Sequence, residues 1–318
     1  MAETIIEIQN LTKRYGDLTA LDDLTLSVEE GAVVGFIGPN GAGKTTTMRI
    51  LTTLLRPTCG KAWLAGHEVT AEPRAVRSVI GYMPDFFGVY EDMKVWEYLD
   101  FFAACYDIPL PARRRMTDDL LALVDLSGKK EAFVEGLSRG MKQRLCLART
   151  LAHDPRILIL DEPASGLDPR ARIEMRELLR ELKQMGKTIF FSSHILSEVA
   201  DICTSIAILE AGQLVAYGNL EQMRKQLYAQ REVVVRVLGE LAPVGAFLLH
   251  QDGVGATVSA PAGDLPPGTI RFAFTGDDEA LSRLLRAMIA ADLPVVSFVE
   301  ESGDLEDLFL QATKGIVR

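Results

Sequence analysis

Residues 38–45, Gly38-Pro39-Asn40-Gly41-Ala42-Gly43-Lys44-Thr45, constrain this chain more than any other stretch. They fit the pattern G-x-x-x-x-G-K-[ST], in which glycines let backbone N–H groups turn inward on phosphates. The apolar AVVGFI precedes the loop, and TTTMRILTTLL, which reads as a helix ended by Pro57, follows it. A strand before and a helix N-terminus after are the context that phosphate binding requires. Lys44 is then placed to reach the β- and γ-phosphates and Thr45 to ligate Mg²⁺, with Thr46 counted as a further nucleotide contact. A loop of this kind is shared by kinases, GTPases and transport ATPases, so the choice among them rests on the remaining residues.

Further strands are expected at TIIEIQ, LTLSV, KAWLAG, TIFFSS and SIAILE. ILILDEP, residues 157–163, is a continuous apolar run of the kind expected in a central parallel strand buried on both faces. It ends in two carboxylates, Asp161 and Glu162, at the carboxyl end of a strand, where open α/β sheets place their ligands. A first carboxylate there can hold Mg²⁺ through water, and a second can polarise the attacking water. Met175, Leu178, Leu179, Leu182 and Met185 follow helical spacing, with Gly186 as the stop. Residues from about 85 to 140 change to helical patterns, including MTDDLLALVDL, and read as a helical insert in the α/β core.

After residue 220 the pattern resets. EVVVRVL, PVGAFLLH, GATVSA, TIRFAF, DDEALSRLLRAMIAAD and PVVSFVE read as β-α-β-β-α-β, a ferredoxin-like order, followed by a last helix in DLEDLFLQAT. The expected division is 1–220 for a P-loop ATPase core with its helical subdomain, and 221–318 for a small α+β domain. The net charge of −10 argues against a duplex-binding protein and predicts no nucleic-acid partner. Four scattered cysteines without a C-x-x-C pair predict reduced thiols. The N-terminal residues lack the pattern of a signal peptide, and no apolar run approaches the ~18 residues of a membrane span.

Three more segments complete the pattern: Leu137-Ser138-Arg139-Gly140-Met141-Lys142-Gln143-Arg144, Ser165-Gly166-Leu167-Asp168, and His194 closing the strand TIFFSS. With the phosphate loop (Walker A) and the Asp161-Glu162 strand (Walker B), they resemble the ATPase subunits of ABC transporters in family order, over about residues 3–220. The resemblance implies that Tyr15 stacks on adenine, that Gly38 to Thr45 cradle the phosphates, and that Thr45 and Asp161 hold Mg²⁺. It implies that Glu162 is the general base and that His194 contacts the γ-phosphate of ATP. Ser138 and Gly140, in the signature, would meet the γ-phosphate held by a second subunit, and Asp168, in the D-loop, would communicate across that dimer.

Two positions depart from the family pattern. The usual signature LSGGQ reads Leu137-Ser138-Arg139-Gly140-Met141, resembling exporter-type ATPases with a basic residue and Met there. In Tyr82-Met83-Pro84-Asp85, Asp85 replaces the usual Gln, which senses Mg²⁺ and the lytic water. A carboxylate still ligates a hard cation, so Asp85 is counted as a metal residue, although it cannot donate an amide hydrogen bond. Phe86, Phe87, Val89 and Tyr90 form an apolar group that would need cover from the helical insert or from a membrane partner's cytoplasmic helix.

The resemblance therefore implies an ATPase that powers a separate integral membrane permease, more readily an exporter. It would lie peripherally on the cytoplasmic face of the cell membrane, as a homodimer or paired with a related ATPase subunit. The second reading is a soluble ABC-type ATPase acting on ribosomes or DNA. Against it stand the single cassette and the short spacing of about ninety residues from Lys44 to Leu137.

Overall fold

The computed structural model describes residues 3–86, 88, 92–195, 202–219, 231–259 and 268–301. The chain divides into two compact units at the junction of Leu220 and Glu221.

The first unit opens with a hairpin of β1 (Thr4–Tyr15) and β2 (Leu18–Glu29), followed by β3 (Val33–Ile37) and α1 (Lys44–Leu51). Next come β4 (Cys59–Leu64), β5 (His67–Glu68), α2 (Pro73–Val79) and β6 (Ile80–Met83). The helical part holds α3 (Val95–Cys105), α4 (Leu110–Leu123) and α5 (Arg139–Thr150). The chain then returns through β7 (Ile157–Leu160), α6 (Pro169–Gln184), β8 (Thr188–Ser193), β9 (Ser205–Glu210) and β10 (Gln213–Gly218). One antiparallel sheet runs β2-β1-β4-β5, and a six-stranded sheet runs β10-β9-β3-β8-β7-β6. In the larger sheet every adjacent pair except β9 and β10 is parallel.

Every residue of β3, β7 and β8 is buried, as strands covered on both faces must be. Helix α6 buries Met175, Leu178, Leu179 and Leu182, one apolar stripe at helical spacing. Asp168 caps it by accepting the Ala171 N–H at 2.9 Å, and Pro169 occupies its first turn. Met185 leaves the expected stripe: it is the C-cap residue and 60% exposed.

Two boundaries differ from the sequence reading. Helix α1 stops at Leu51, well before Pro57. Thr53 turns left-handed at φ 63°, and the N–H groups of Leu54 and Leu55 both return to the Arg49 carbonyl, which closes the helix end. The first two strands are each 12 residues long, with register shifts that let the hairpin bend over the core.

The second unit contains β11 (Arg231–Val237), α7 (Leu241–Leu248), β12 (Val254–Ser259), β13 (Thr269–Phe274), α8 (Asp278–Ala290) and β14 (Val295–Glu301). Its sheet runs β12-β13-β11-β14 with antiparallel neighbours. Val233, Val235 and Val237 point to one side and are buried with Val244 and Leu248 of α7 and Leu284 and Met288 of α8. The apolar residues Phe87, Val89 and Tyr90, and the helix expected within 304–313, lie outside the described residues.

Candidate active site

The phosphate loop leaves the carboxyl end of β3 and enters α1. Gly43 has φ 106°, and a Cβ there would lie 2.6 Å from the Ala20 carbonyl oxygen, so only glycine fits. At Gly38 a Cβ would come within 2.3 Å of the Leu209 carbonyl oxygen, because β9 runs directly beside the loop. Lys44 is 6% exposed, and its Nζ donates to the carbonyls of Gly38 at 2.6 Å and Pro39 at 3.2 Å. Burial lowers the Lys44 pKa, while the charges of Glu162 and Asp161 oppose that shift. A cation held this way is ready for an anion of high charge density.

Asp161 and Glu162 follow β7 directly. The Asp161 N–H donates to the Met83 carbonyl at 2.8 Å, and Asp161 Oδ1 accepts the Ser192 hydroxyl at 2.7 Å. The same Ser192 oxygen accepts the Glu162 N–H at 2.8 Å, so β8 orients both acids. Glu162 takes a left-handed φ of 51°, a conformation that costs a non-glycine residue about 1–3 kcal/mol and tends to mark a functional position. This turn aims its carboxylate between two partners: Oε1 lies 3.7 Å from Lys44 Nζ, and Oε2 lies 2.7 Å from His194 Nδ1. Burial, with help from Asp161 and Glu162, raises the Asp85 pKa, and the charges of Arg139 and His194 pull against it.

These groups share a cavity of about 460 Å³. Its wall carries Tyr15, Asn40, Gly41, Gly43, Lys44, Thr45 and Thr46 together with Asp85, Glu162 and His194. Tyr15 is 46% exposed at the rim, with Lys13 Nζ 5.0 Å from its ring centre. Gly38, Pro39 and Ala42 belong to the same loop without lining the cavity, and Asp161 is buried. Ser138, Gly140 and Asp168 stand apart from the cavity wall. Ser138 caps α5 by accepting the Met141 N–H at 3.3 Å, and Gly140 packs so that a Cβ would sit 3.0 Å from that of Ala171.

Leu18, Ala20 and Ser165 also line the cavity, and Ser192 supports it from below. Ser165 stands in the quoted segment Ser165-Gly166-Leu167-Asp168 but is given no role there, and the other three are not singled out by the sequence reading. Ser192 had one usable signal, a hydroxyl interrupting the apolar run TIFFSS at the strand's carboxyl end. Among the described residues no group of three or more His, Cys, Asp or Glu side chains is placed to hold a metal ion. The Thr45 hydroxyl with the Asp85 and Asp161 carboxylates is a small set of hard oxygen donors. That set suits Mg²⁺, which usually binds through one or two carboxylates together with substrate phosphates and water. No helix among the described residues is long and apolar enough to cross a membrane.

The ABC transporter family model matches residues 21–165. The daunorubicin resistance ATP-binding protein DrrA3 of Streptomyces coeruleorubidus is 35% identical over 98% of this chain and 97% of its own length. Nod factor export ATP-binding protein I of Ralstonia nicotianae is 33% identical over 97% of this chain and 94% of its own. The solved structure of an ATP-binding subunit of an ABC transporter, 32% identical, superposes with a TM-score of 0.64 over 70% of this chain and 93% of that one. A dimeric ATP-binding cassette in a post-hydrolysis state, bound to ADP and Pi, is 26% identical with a TM-score of 0.62, covering 68% of this chain and 99% of its own. The chain therefore belongs to the ABC transporter family, as an ATP-binding and ATP-hydrolysing subunit.

Proposed function

We propose that this subunit powers export through a separate membrane permease, working as a dimer on the cytoplasmic face of the membrane. The observation that carries the reading is the split of the motif residues. Lys44, Thr45, Asp85, Glu162 and His194 share one cavity, whereas Ser138 and Gly140 stand off it. A second chain is then needed to bring its own signature to this ATP. Tyr15 offers a ring at the rim for adenine, and Lys44 with the loop amides takes the β- and γ-phosphates. Water attacks the γ-phosphorus as its proton passes to a Glu162 carboxylate oxygen, and ADP leaves. His194, 2.7 Å from that carboxylate, orients it and is close enough to meet the γ-phosphate. Thr45, Asp161 and Asp85 would hold Mg²⁺, whose charge would stabilise the phosphates.

Export is favoured because the relatives above are named for drug resistance and Nod factor export. A groove of about 350 Å³ walled by Leu54, Tyr82, Phe102, Tyr106 and Arg149 offers the permease a docking surface. Phe86, 88% exposed, adds apolar surface on this unit. Residues 221–318 are read as an accessory domain of ferredoxin-like type that supports pairing or regulation. Sedimentation tests the shared site. With ATP and Mg²⁺, Glu162→Gln should associate more tightly than it does without nucleotide, and Lys44→Ala should show no such gain. A Glu162→Gln protein that associates no more tightly at saturating ATP overturns the shared site.

A further inference from the structure

One side chain ties the first turn of α5 to the loop that follows the Walker B strand. Arg139 Nη2 donates to the Ser165 carbonyl at 3.1 Å. Its guanidinium lies flat over Gly166, where a Cβ would fall 2.3 Å from Arg139 Cζ. Gly166 itself has φ 66°, so conformation and space both call for glycine there. A second bond supports the same seam: Gln143 Nε2, one turn along α5, donates to the buried Pro163 carbonyl at 2.9 Å. The loop gripped in this way is part of the site. Ser165 lines the cavity with Lys44 and Glu162, and the Ser165 N–H donates to the Glu162 carbonyl at 3.0 Å.

We propose that Arg139 is a positioning residue for ATP hydrolysis. It locks the 163–168 loop to the signature turn, so that Glu162 and the Ser138-Gly140 turn hold a fixed spacing within the chain that carries both. In the dimer of the proposed function these two groups serve different ATP molecules. The lock thus makes the geometry of one site depend on the engagement of the other. The inference rests on Glu162 as the base, but it is tested with Glu162 in place. Full turnover in Glu162→Gln would remove the base assignment, whatever Arg139 does.

Arg139 is exposed, and water can take the place of its hydrogen bond to the Ser165 carbonyl, so its substitution leaves the fold standing. The measurement is kcat per bound ATP in the full-length chain, with nucleotide bound per chain measured separately to correct for any unfolded fraction. Arg139→Ala should lower kcat per bound ATP about tenfold, less than the roughly 10²-fold cost of a 1 Å misplacement, with ATP affinity unchanged. Arg139→Lys should recover part of the loss, since an ammonium reaches the carbonyl but has no planar group to cover Gly166. Gly166→Ala should displace the guanidinium and slow the normal chain, yet cost less when Arg139 is already alanine. The backbone strain of an alanine at positive φ is present in both backgrounds and cancels in the cycle. An Arg139→Ala protein with normal kcat per bound ATP, or equal costs of Gly166→Ala in both backgrounds, overturns the proposal. So does a loss confined to ATP-driven dimerisation with kcat per dimer intact, which would instead place Arg139 on the partner's phosphates.

Discussion

The six-stranded sheet of the first unit and the four-stranded sheet of the second are built from similar apolar strands, but they present their ends differently. In the six-stranded sheet the neighbours around β3, β7 and β8 are parallel, so their carboxyl ends emerge on one side. Gly38 follows β3, Asp161 and Glu162 follow β7, His194 follows β8, and Asp85 lies two residues beyond β6. Four segments distant in sequence thereby converge on one cavity. In the four-stranded sheet of the second unit all neighbours are antiparallel, so the carboxyl ends of paired strands emerge alternately on opposite sides. One face is buried against α7 and α8, while Glu232 and Arg236 of β11 stay exposed on the other. Parallel pairing gathers polar groups at one edge; antiparallel pairing distributes them.

Four experiments probe this contrast, beginning with the largest effect. Glu162→Gln should leave ATP binding intact and slow hydrolysis by on the order of 10²–10⁴-fold, the worth of a positioned base. Full turnover with the membrane partner present would move the base to another strand end. Lys44→Ala should weaken MgATP binding by about 10–100-fold, since hydrogen bonds to a charged group contribute about 1.5–3 kcal/mol. Calorimetry giving the same affinity for both proteins would break the assignment of the loop.

The edge strand β6 carries the weakest of the four contributions. Asp85→Ala should move the Mg²⁺ dependence of turnover to higher concentration by a few-fold, and Asp85→Gln should recover much of the loss by restoring an oxygen donor. Identical Mg²⁺ curves for all three proteins would reduce Asp85 to a turn residue. Removal of the second sheet should matter least to nucleotide. A chain ending at residue 220 should bind ATP with unchanged affinity yet associate more weakly without nucleotide. Equal association of the two chains in sedimentation would take dimerisation away from the second unit.

Much of the site was readable in the residues because its chemistry sits where apolar runs stop. Gly38 to Thr45, Asp161-Glu162 and His194 each follow a hydrophobic stretch with a polar or glycine signal. Ser192 is not legible in the same way, because a single hydroxyl in a buried strand looks like any other until its partners are known. Those partners, Asp161 Oδ1 and the Glu162 N–H, lie on the neighbouring strand. The end of α1 was misjudged because Pro57 is a strong stop signal. The actual stop, a left-handed Thr53, carries none.

The sequence by itself determined the local devices: a loop that only glycines can form, a lysine at a helix start, paired acids after a buried strand, and the cap of α6. Local conformation follows from residues within a few positions of one another, so these signals are legible without any long-range contact, although the neighbours that exclude a Cβ at Gly38 and Gly43 come from β9 and β2. Tertiary structure alone decided that Lys44, Glu162 and His194 would meet, that burial would lower the Lys44 pKa, and that Arg139 would lie on Gly166. Those outcomes depend on β3, β7 and β8 standing side by side and on α5 packing against the loop after β7. That order is set by burying both faces of one sheet, a property of the whole unit.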